Sequence, residues 1–239
     1  MKCSKIFLVM LILILIVVFS ICSYLILRNL NELKESNKST ENLIKESIEI
    51  KEETEKKYID WDYLKSVNED IIAWIEIEGT NINYPILNGV YYLKHSFDKK
   101  YNNNGSIFTT DLLPFESNET IIYGHNMKNG SMFSNLSKYL DKDFLYSHLK
   151  FKIYTPKCDY EATVISVYST GIETENNNIK SLDFNERIEY YKKNSKYNIE
   201  NDDEINKIVK LSTCSYINAK VTPTDQRYYI IANIKIVEK

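Results

Sequence analysis

The hydrophobic pattern of the chain begins with an unbroken apolar segment. Residues 6–27, IFLVMLILILIVVFSICSYLIL, contain no charged side chain. About 20 apolar residues in a helix cross a bilayer, and the absence of a small-x-small cleavage site favours a retained signal anchor over a cleaved signal peptide. Lys2 and Lys5 precede the segment and Arg28 follows it. This balance predicts a single-pass protein of the cell membrane with residues 1–5 cytoplasmic and the remainder extracellular.

The segment after the apolar run, residues 28–57, is polar and rich in Glu and Lys, and it contains neither Pro nor Gly. Opposite charges recur three and four positions apart, a spacing typical of a solvated helix. Its apolar residues form only a broken stripe. We therefore expect a charged helical stalk or linker that holds an outer domain off the membrane, rather than a coiled-coil partner site.

From residue 58 onward the pattern changes to short runs of Ile, Val, Tyr and Phe bounded by turn residues, which predict β-strands. A short amphipathic helix, YIDWDYLKSVN, comes first. Residues 131–149 and 181–197 have helical periodicity, each behind a serine that could cap it. Many strands and few helices favour a mainly β fold, a closed barrel or sandwich. The eight predicted strands are IIAWIEIEG, NINYPIL, GSIFTTD, ETIIYGHN, FKIYT, YEATVISVYST, IVKLSTCS and RYYIIANIKIVE.

Charge and cysteine content narrow the possible functions. The net charge is -3, with Lys evenly mixed among Asp and Glu, which argues against a nucleic-acid partner. Of four cysteines, Cys3 and Cys22 lie in or beside the apolar segment, which leaves Cys158 and Cys214 for the outer domain. These two could form a disulfide, but they provide no framework of paired spacings. A free thiol outside the cell is typically kept for reactivity.

Cys214 is the stronger candidate for a reactive thiol. It alternates with Lys210 and Ser212 on the less apolar face of its predicted strand, so we expect it to be partly accessible to solvent. A small buried hydrophobic residue is the alternative interpretation, since free cysteines are commonly buried. Cys158 lies between two predicted strands and has no comparable setting.

A nucleophilic cysteine needs a base or ion-pair partner and a group that stabilises the oxyanion. His125 ends the predicted strand TIIYGH, and Arg227 opens the last strand. His148 closes a predicted helix, where a protonated imidazole complements the helix dipole and has a structural role. His95 lies in a loop. Taken alone, Arg227 would be a surface charge, and His125 would be only a weak catalytic candidate.

The order of these features is more specific than any one of them. An anchor is followed by TIIYGHN, then LSTC, then RYYIIANI. This order resembles the sortases, the membrane-anchored cysteine transpeptidases of Gram-positive bacteria, and KLSTC is similar to their TLxTC motif. The helix before the first strand, AWIEIEGTNINYPIL, GSIF, YGHN and the helix at 181–197 resemble class B. The resemblance covers residues 58–239.

The resemblance implies an eight-stranded sortase barrel over residues 58–239, with an N-terminal helix and an extra helix between the sixth and seventh strands. Cys214, His125 and Arg227 would meet in a groove. The family cleaves a C-terminal sorting signal, of the LPxTG or NPQTN kind, after Thr and transfers the surface protein to an amine, usually from a peptidoglycan precursor. Cys214 would attack the Thr carbonyl, His125 would protonate the leaving amine, and Arg227 would stabilise the oxyanion. No acidic cluster resembles the class A calcium site, and we expect neither metal nor cofactor.

The resemblance also suggests substrate contacts, each of which has a packing explanation as well. The segment that joins the nucleophile to the last strand is long and contains Pro223, and the segment after NYPILNG is short. Both segments depart from the sortase pattern. The four suggested positions are Leu93, Ile179 in the loop leading to the extra helix, Ser212 and Thr213.

Other classes of function share parts of this pattern. Papain-like cell-wall peptidases and amidases place cysteine before histidine, whereas His125 precedes Cys214 here. L,D-transpeptidases put histidine first, but their paired SHGC-type segment has no counterpart. A sortase-like fold that only binds partners is a non-enzymatic alternative, and retention of all three chemical residues argues against it.

Overall fold

The N-terminal part of the protein is one long helix. The computed structural model describes residues 2–51, 56–215 and 224–237, and the chain divides into two compact units, Met1–Glu46 and Ser47–Lys239. Helix α1 spans Lys2–Ser47. The apolar residues of its segment 6–27 are exposed, and among the described residues it is the one helix long and apolar enough to cross a membrane.

The helix of the predicted stalk ends earlier than expected. Residues Ile48–Lys51 form strand β1, which pairs antiparallel with β2, Lys56–Ile59. The prediction of helix through residue 57 is therefore wrong at its end. Charge spacing favoured a helix, but Ile48 pairs with Ile59, whose side chain is 5% exposed. β-branched side chains packed across a strand pair outweigh the helical charge pattern.

Eight strands close into a barrel in the order β10-β8-β7-β3-β4-β5-β6-β9. Each corresponds to a predicted segment, so the predicted barrel is confirmed. The pairs β4–β5 and β6–β9 are parallel, and the other described pairs are antiparallel. The strands are β3 Ile71–Glu76, β4 Asn83–Asn88, β5 Ile107–Thr109, β6 Glu119–Tyr123, β7 Lys150–Tyr154, β8 Asp159–Gly171, β9 Ile208–Cys214 and β10 Gln226–Val237.

Side chains that alternate along the strands build two apolar layers. The inward positions fill the barrel, where Ile75, Ile153, Leu211 and Ile230 are at most 1% exposed. The outward positions of β8, β9 and β10 form a second cluster beneath a helix. That cluster contains Ile165, Tyr168, Ile188, Tyr191, Ile208, Tyr229 and Ile231.

The helices differ from expectation in their caps and in one additional element. Asp141 and Asp183 cap α3 and α5, not the serines, because a carboxylate accepts well from the free N–H groups of a first turn. Residues 131–149 contain a 3-10 helix, Ser134–Leu140, before α3. The segment around Ile179, expected as a loop, is helical. The α-helices of this unit are α2 Trp61–Val67, α3 Lys142–Ser147, α4 Ile172–Ile179 and α5 Phe184–Asn194, and a second 3-10 helix spans Val90–Leu93.

The barrel interior can be tested with a pair of identical truncations. Leu211 is 0% exposed, whereas Leu112 is 96% exposed in a loop. We expect Leu211→Ala to lower the free energy of unfolding by about 2–5 kcal/mol, because it removes buried carbon atoms and leaves a cavity. Leu112→Ala should change it by less than about 0.5 kcal/mol. Urea unfolding of the full chain in detergent, followed by tryptophan fluorescence, measures both, and equal losses would contradict the interior position of Leu211.

Candidate active site

Three neighbouring strands bring the candidate catalytic residues to one rim of the barrel. Arg227 is the cross-strand partner of Cys214 in the antiparallel β9–β10 pair. Tyr123 pairs with Ser212 in the parallel β6–β9 pair. Carried two residues further, this register sets His125 beside Cys214. Neighbouring strands lie about 4.8 Å apart, so the backbone positions of Arg227 and, by this extension of the register, His125 lie on the two sides of Cys214.

The outer face of β9 opens to solvent only at its end. Lys210 is 2% exposed and Ser212 4% exposed, although both lie on the less apolar face. Cys214, next on that face, is partly exposed and is a free thiol. The expected partial access of Cys214 is confirmed. The other two polar residues are covered because the outer layer with α4 and α5 packs over this wall.

The electrostatics of this wall follow mainly from burial. Tyr123 and Tyr229 flank Ser212 on its two neighbouring strands. Burial raises the pKa of both tyrosines, so their hydroxyls stay protonated at neutral pH. Burial also lowers the pKa of Lys210, and the adjacent Glu175 carboxylate acts in the opposite direction. The wall that leads to the thiol therefore presents neutral hydroxyl groups rather than phenolates.

A close backbone approach positions His125. A Cβ atom on Gly124 would lie 2.5 Å from Ile107 Cδ1 and 2.7 Å from Phe133 Cδ2, so glycine is required there. The Phe133 N–H donates to the His125 carbonyl at 3.0 Å. The imidazole Nε2 lies 2.8 Å from the Leu93 carbonyl oxygen. Because a carbonyl oxygen can only accept, this contact assigns a proton to Nε2 and leaves Nδ1 for proton exchange.

The Arg227 side chain is held by backbone carbonyl groups at the start of its own strand. Its Nη1 donates to the carbonyl oxygens of Thr224 at 2.9 Å and Gln226 at 2.8 Å. Among the described residues, Nε and Nη2 have no such backbone partner. The predicted long segment with Pro223 falls on residues 216–223, which lie outside the described residues.

Asn126 was not singled out from the sequence as a site residue. Its side-chain Nδ2 donates to the Cys214 carbonyl at 2.7 Å, and so ties the end of β9 to the segment that follows β6. The only available signal was its place directly after His125 in YGHN. A contact across 88 positions could not be deduced from that neighbourhood.

The four suggested substrate positions are distributed unevenly around the thiol. Leu93 is 40% exposed at the end of the 3-10 helix that follows NYPILNG, next to His125. Ile179 ends α4 and is partly buried against the outer cluster. Ser212 lies on the face of Cys214 but is buried. Thr213 is 2% exposed on the opposite, inward face, so the geometry does not bring its side chain to the site.

The remaining histidines and the second cysteine have local partners. His148 caps α3, and its ring stacks on Phe144 at 3.9 Å between centroids. His95 stacks on Tyr91 at 3.6 Å. Cys158 is a free thiol and forms no disulfide with Cys214. Within the described ranges, no three His, Cys, Asp or Glu side chains are grouped to hold a metal ion.

Known proteins are similar to this chain in sequence and in fold. The Sortase domain family matches residues 75–235. Sortase B of Listeria monocytogenes is 39% identical over 163 residues, which cover 63% of this chain and 65% of that protein. Sortase B of Staphylococcus aureus is 30% identical over 182 residues, 72% of each. The structure of sortase B from Bacillus anthracis superposes with a TM-score of 0.67 at 30% identity, covering 88% of this chain and 100% of that one.

A closed barrel with a free, partly exposed cysteine at the end of a strand, together with these matches, defines the class: the chain belongs to the sortase family of cysteine transpeptidases. Sortases act on sorting-signal substrates and amine acceptors. Within the family, the chain is of class B, as its sequence relatives and structural neighbours are. The predicted helix between the sixth and seventh barrel strands is present as α5.

The contact between Asn126 and Cys214 predicts a positioning effect. A hydrogen bond of this kind contributes about 0.5–1.5 kcal/mol, so Asn126→Ala should slow cleavage of a sorting-signal peptide by roughly 2- to 10-fold. In the control Asn194→Ala, the lost amide also donates to a backbone carbonyl, that of Tyr190 at 2.8 Å, but it lies on α5. Steady-state peptide cleavage measures both. Parent-like rates in Asn126→Ala would contradict the positioning effect.

Proposed function

We propose that this protein is a membrane-anchored transpeptidase that cuts a C-terminal sorting signal after Thr and joins the released surface protein to an amine of a peptidoglycan precursor. The observation that carries the proposal is the strand register that flanks Cys214 with His125 and Arg227 on the outer face of a sortase barrel. The signal is of the LPxTG or NPQTN kind. No cofactor takes part.

Cys214 is the nucleophile. As a thiolate, its Sγ attacks the carbonyl carbon of the signal's Thr and forms a tetrahedral oxyanion. When the carbon–nitrogen bond breaks, the C-terminal fragment leaves as an amine and a thioester remains on Cys214. The partial exposure of this strand end supports the role, because a peptide must reach the sulfur.

His125 transfers the protons of both steps. Its Nε2 is engaged by the Leu93 carbonyl at 2.8 Å, so Nδ1 is the nitrogen that gives a proton to the leaving amine. In the second step the acceptor amine attacks the thioester, Nδ1 takes up the proton from that amine, and the Cys214 thiolate is released.

Arg227 stabilises the oxyanion. The N–H of Ser215, the residue that follows the nucleophile, already donates to the Gln226 carbonyl at 2.8 Å. It is therefore occupied in the strand ladder and does not serve as an oxyanion donor. The Nε and Nη2 groups of Arg227 supply a fixed fork of donors next to the thiol instead.

The substrate peptide lies along the groove on the outer face. Leu93 beside His125, and Ile179 at the end of α4, are proposed as apolar contacts on two sides of the thiol. Ser212 lies two residues before Cys214 on the same face of β9 and is buried. We place it in the floor of the groove, where it packs against protein and does not contact the ligand. We also propose a division of the chain into an anchor at residues 6–27, a linker at 28–57 and an extracellular catalytic domain at 58–239. The hairpin β1–β2 already amends the end of the linker.

The reaction can be tested by intact mass spectrometry of the full chain in detergent, mixed with a small set of sorting-signal peptides. We expect an adduct on Cys214 whose mass corresponds to the peptide ending in Thr, together with the released C-terminal fragment. A folded protein whose Cys214 is alkylated by iodoacetamide, but which forms no adduct with any peptide, would contradict the proposed transpeptidase activity.

Replacing the proposed nucleophile should separate chemistry from folding. Cys214→Ala removes the sulfur from a partly exposed strand end, so we expect loss of the adduct and of cleavage with no more than a few degrees' change in melting temperature. Cys158→Ala is the matched control, since Cys158 is also a free thiol, and it should keep the activity. A large loss of melting temperature in Cys214→Ala alone would indicate a structural cysteine.

Arg227→Lys tests the fork of donors rather than the charge. A lysine retains the positive charge but presents a point donor on a flexible stem. Loss of an oxyanion donor typically costs about 10²–10³-fold in kcat, and we expect a decrease of that order. The control is Arg187→Lys on α5, where the arginine pairs with Glu119 at 2.9 Å. Near-parent kcat in Arg227→Lys would exclude the oxyanion role.

A further inference from the structure

Helix α4 is held on the barrel by a charged side chain rather than by an apolar face. Its sequence is IETENNNI, and Glu175 is its one buried residue, 1% exposed. Ile172 and Ile179 at its two ends are only partly buried. An isolated helix of this length is not stable in water. Glu175 therefore makes the buried contacts of α4, and Ile179 on the outer cluster and the Asn178 amide, which donates to the Tyr190 hydroxyl at 3.1 Å, add contacts nearer the surface.

The Glu175 carboxylate is bound by three other elements of the fold. It forms an ion pair with Lys210 of β9. It accepts from the Tyr168 hydroxyl of β8 at 2.6 Å and from the Tyr190 hydroxyl of α5 at 3.1 Å. A buried charge is tolerated only when it is paired and its remaining lone pairs are satisfied. This carboxylate meets that condition, and each partner fixes it from a different direction.

Lys210 is equally constrained. Its side chain is 2% exposed, and its Nζ lies 4.7 Å from the ring centroid of Tyr191 and 4.5 Å from that of Tyr229. Both distances are within the range of cation–π attraction. The ammonium group is thus held between two rings with Glu175 as its counter-ion, and it has no freedom to reach solvent.

This pair is connected to the strands that carry the site. Lys210 lies four positions before Cys214 on the same outward face of β9. At the start of α4, the Ile172 N–H donates to the Asp225 carbonyl at 3.0 Å, two positions before Arg227. The helix is therefore fastened next to β9 through a side chain and next to β10 through its backbone.

We propose that Lys210 and Glu175 are positioning residues that dock α4 on the outer wall of the barrel, so that this helix forms one side of the peptide groove beside Cys214. The inference rests on the proposed function, since the groove is the one in which the sorting signal binds. Neither side chain touches the substrate. Lys210 stands at the first position of KLSTC, where the TLxTC motif has threonine, so the pair is a property of this chain and not of the motif.

The proposal predicts a change in peptide binding without a change in chemistry. Lys210→Met leaves the Glu175 carboxylate buried without a cation, which is costly, so α4 should leave the wall. We expect KM for the peptide to rise by about tenfold or more and kcat to stay within about twofold, as for the loss of binding shared by ground state and transition state. Glu175→Gln, which leaves Lys210 unpaired, should act in the same direction and serves if Lys210→Met fails to fold.

A double variant tests the pair itself. Lys210→Met combined with Glu175→Gln removes both charges together. The methionine fills the volume between the rings of Tyr191 and Tyr229, and the glutamine retains an oxygen that accepts from Tyr168. Replacing both partners of a buried pair is often nearly neutral, so we expect KM to return to within about threefold of the parent.

The matched control is another lysine–glutamate pair with a tyrosine partner. Lys57 pairs with Glu76, and Tyr154 donates to the same carboxylate at 3.2 Å. Its strands, β2, β3 and β7, do not include the three that carry the site. Lys57→Met therefore breaks a similar pair elsewhere and should leave KM unchanged.

The experiment uses the full chain in detergent and a quenched peptide, LPxTG or NPQTN, whichever forms the adduct on the parent. Hydrogen exchange of residues 172–179 is measured alongside, and a cooperative thermal unfolding transition followed by tryptophan fluorescence reports that each variant is folded. Faster exchange and raised KM in Lys210→Met, restored in the double variant, support the proposal. Parent-like exchange and KM, or a double variant as impaired as the single one, overturn it. If the parent forms no adduct, the proposed function fails, whereas the exchange data still decide whether the pair docks α4.

Discussion

The pairing of β9 with β6 on one side and with β10 on the other is the constraint on which the site depends. Because β6 and β9 are parallel, both end at the same rim, and their last residues meet there. Because β10 is antiparallel to β9, it begins at that rim. Chain direction and register thus set Arg227 opposite Cys214 and bring the segment that follows β6, which contains His125, to the same rim.

The two faces of β9 have different surroundings. Val209 and Leu211 point inward and belong to the barrel core. Lys210 and Ser212 point outward, yet the layer with α4 and α5 covers them. Cys214 is the first outward residue that this cover leaves partly open. Cys214 therefore lies where β9 is still paired with its neighbours but the covering layer has ended, which combines a fixed backbone with partial access to solvent.

Local patterns were sufficient for the barrel strands. Runs of β-branched and aromatic residues such as RYYIIANIKIVE specify a strand without reference to the rest of the chain. The helix caps differ from expectation for a local reason, whereas the other differences depend on contacts that a local pattern does not contain. The helical charge pattern of the stalk was overridden by the pairing of Ile48 with Ile59, and the contact of Asn126 with Cys214 joins segments far apart. Helix α4 was missed because its polar residues resemble a loop until Glu175 meets its buried partner.

The buried pair of Lys210 and Glu175 shows why polarity alone does not identify a solvent-facing strand face. Alternation correctly placed Lys210 on the face of Cys214, but a lysine with its counter-ion and two aromatic rings can be enclosed, whereas a lone one cannot. An ion pair of this kind adds little net stability compared with apolar packing. It does, however, favour a single position of α4, since any displacement of this helix leaves an unpaired charge buried away from water. An apolar contact between α4 and the barrel could slide at small cost. For a short helix beside a peptide groove, the proposed advantage of the pair is therefore a fixed position, and stability is left to the barrel core.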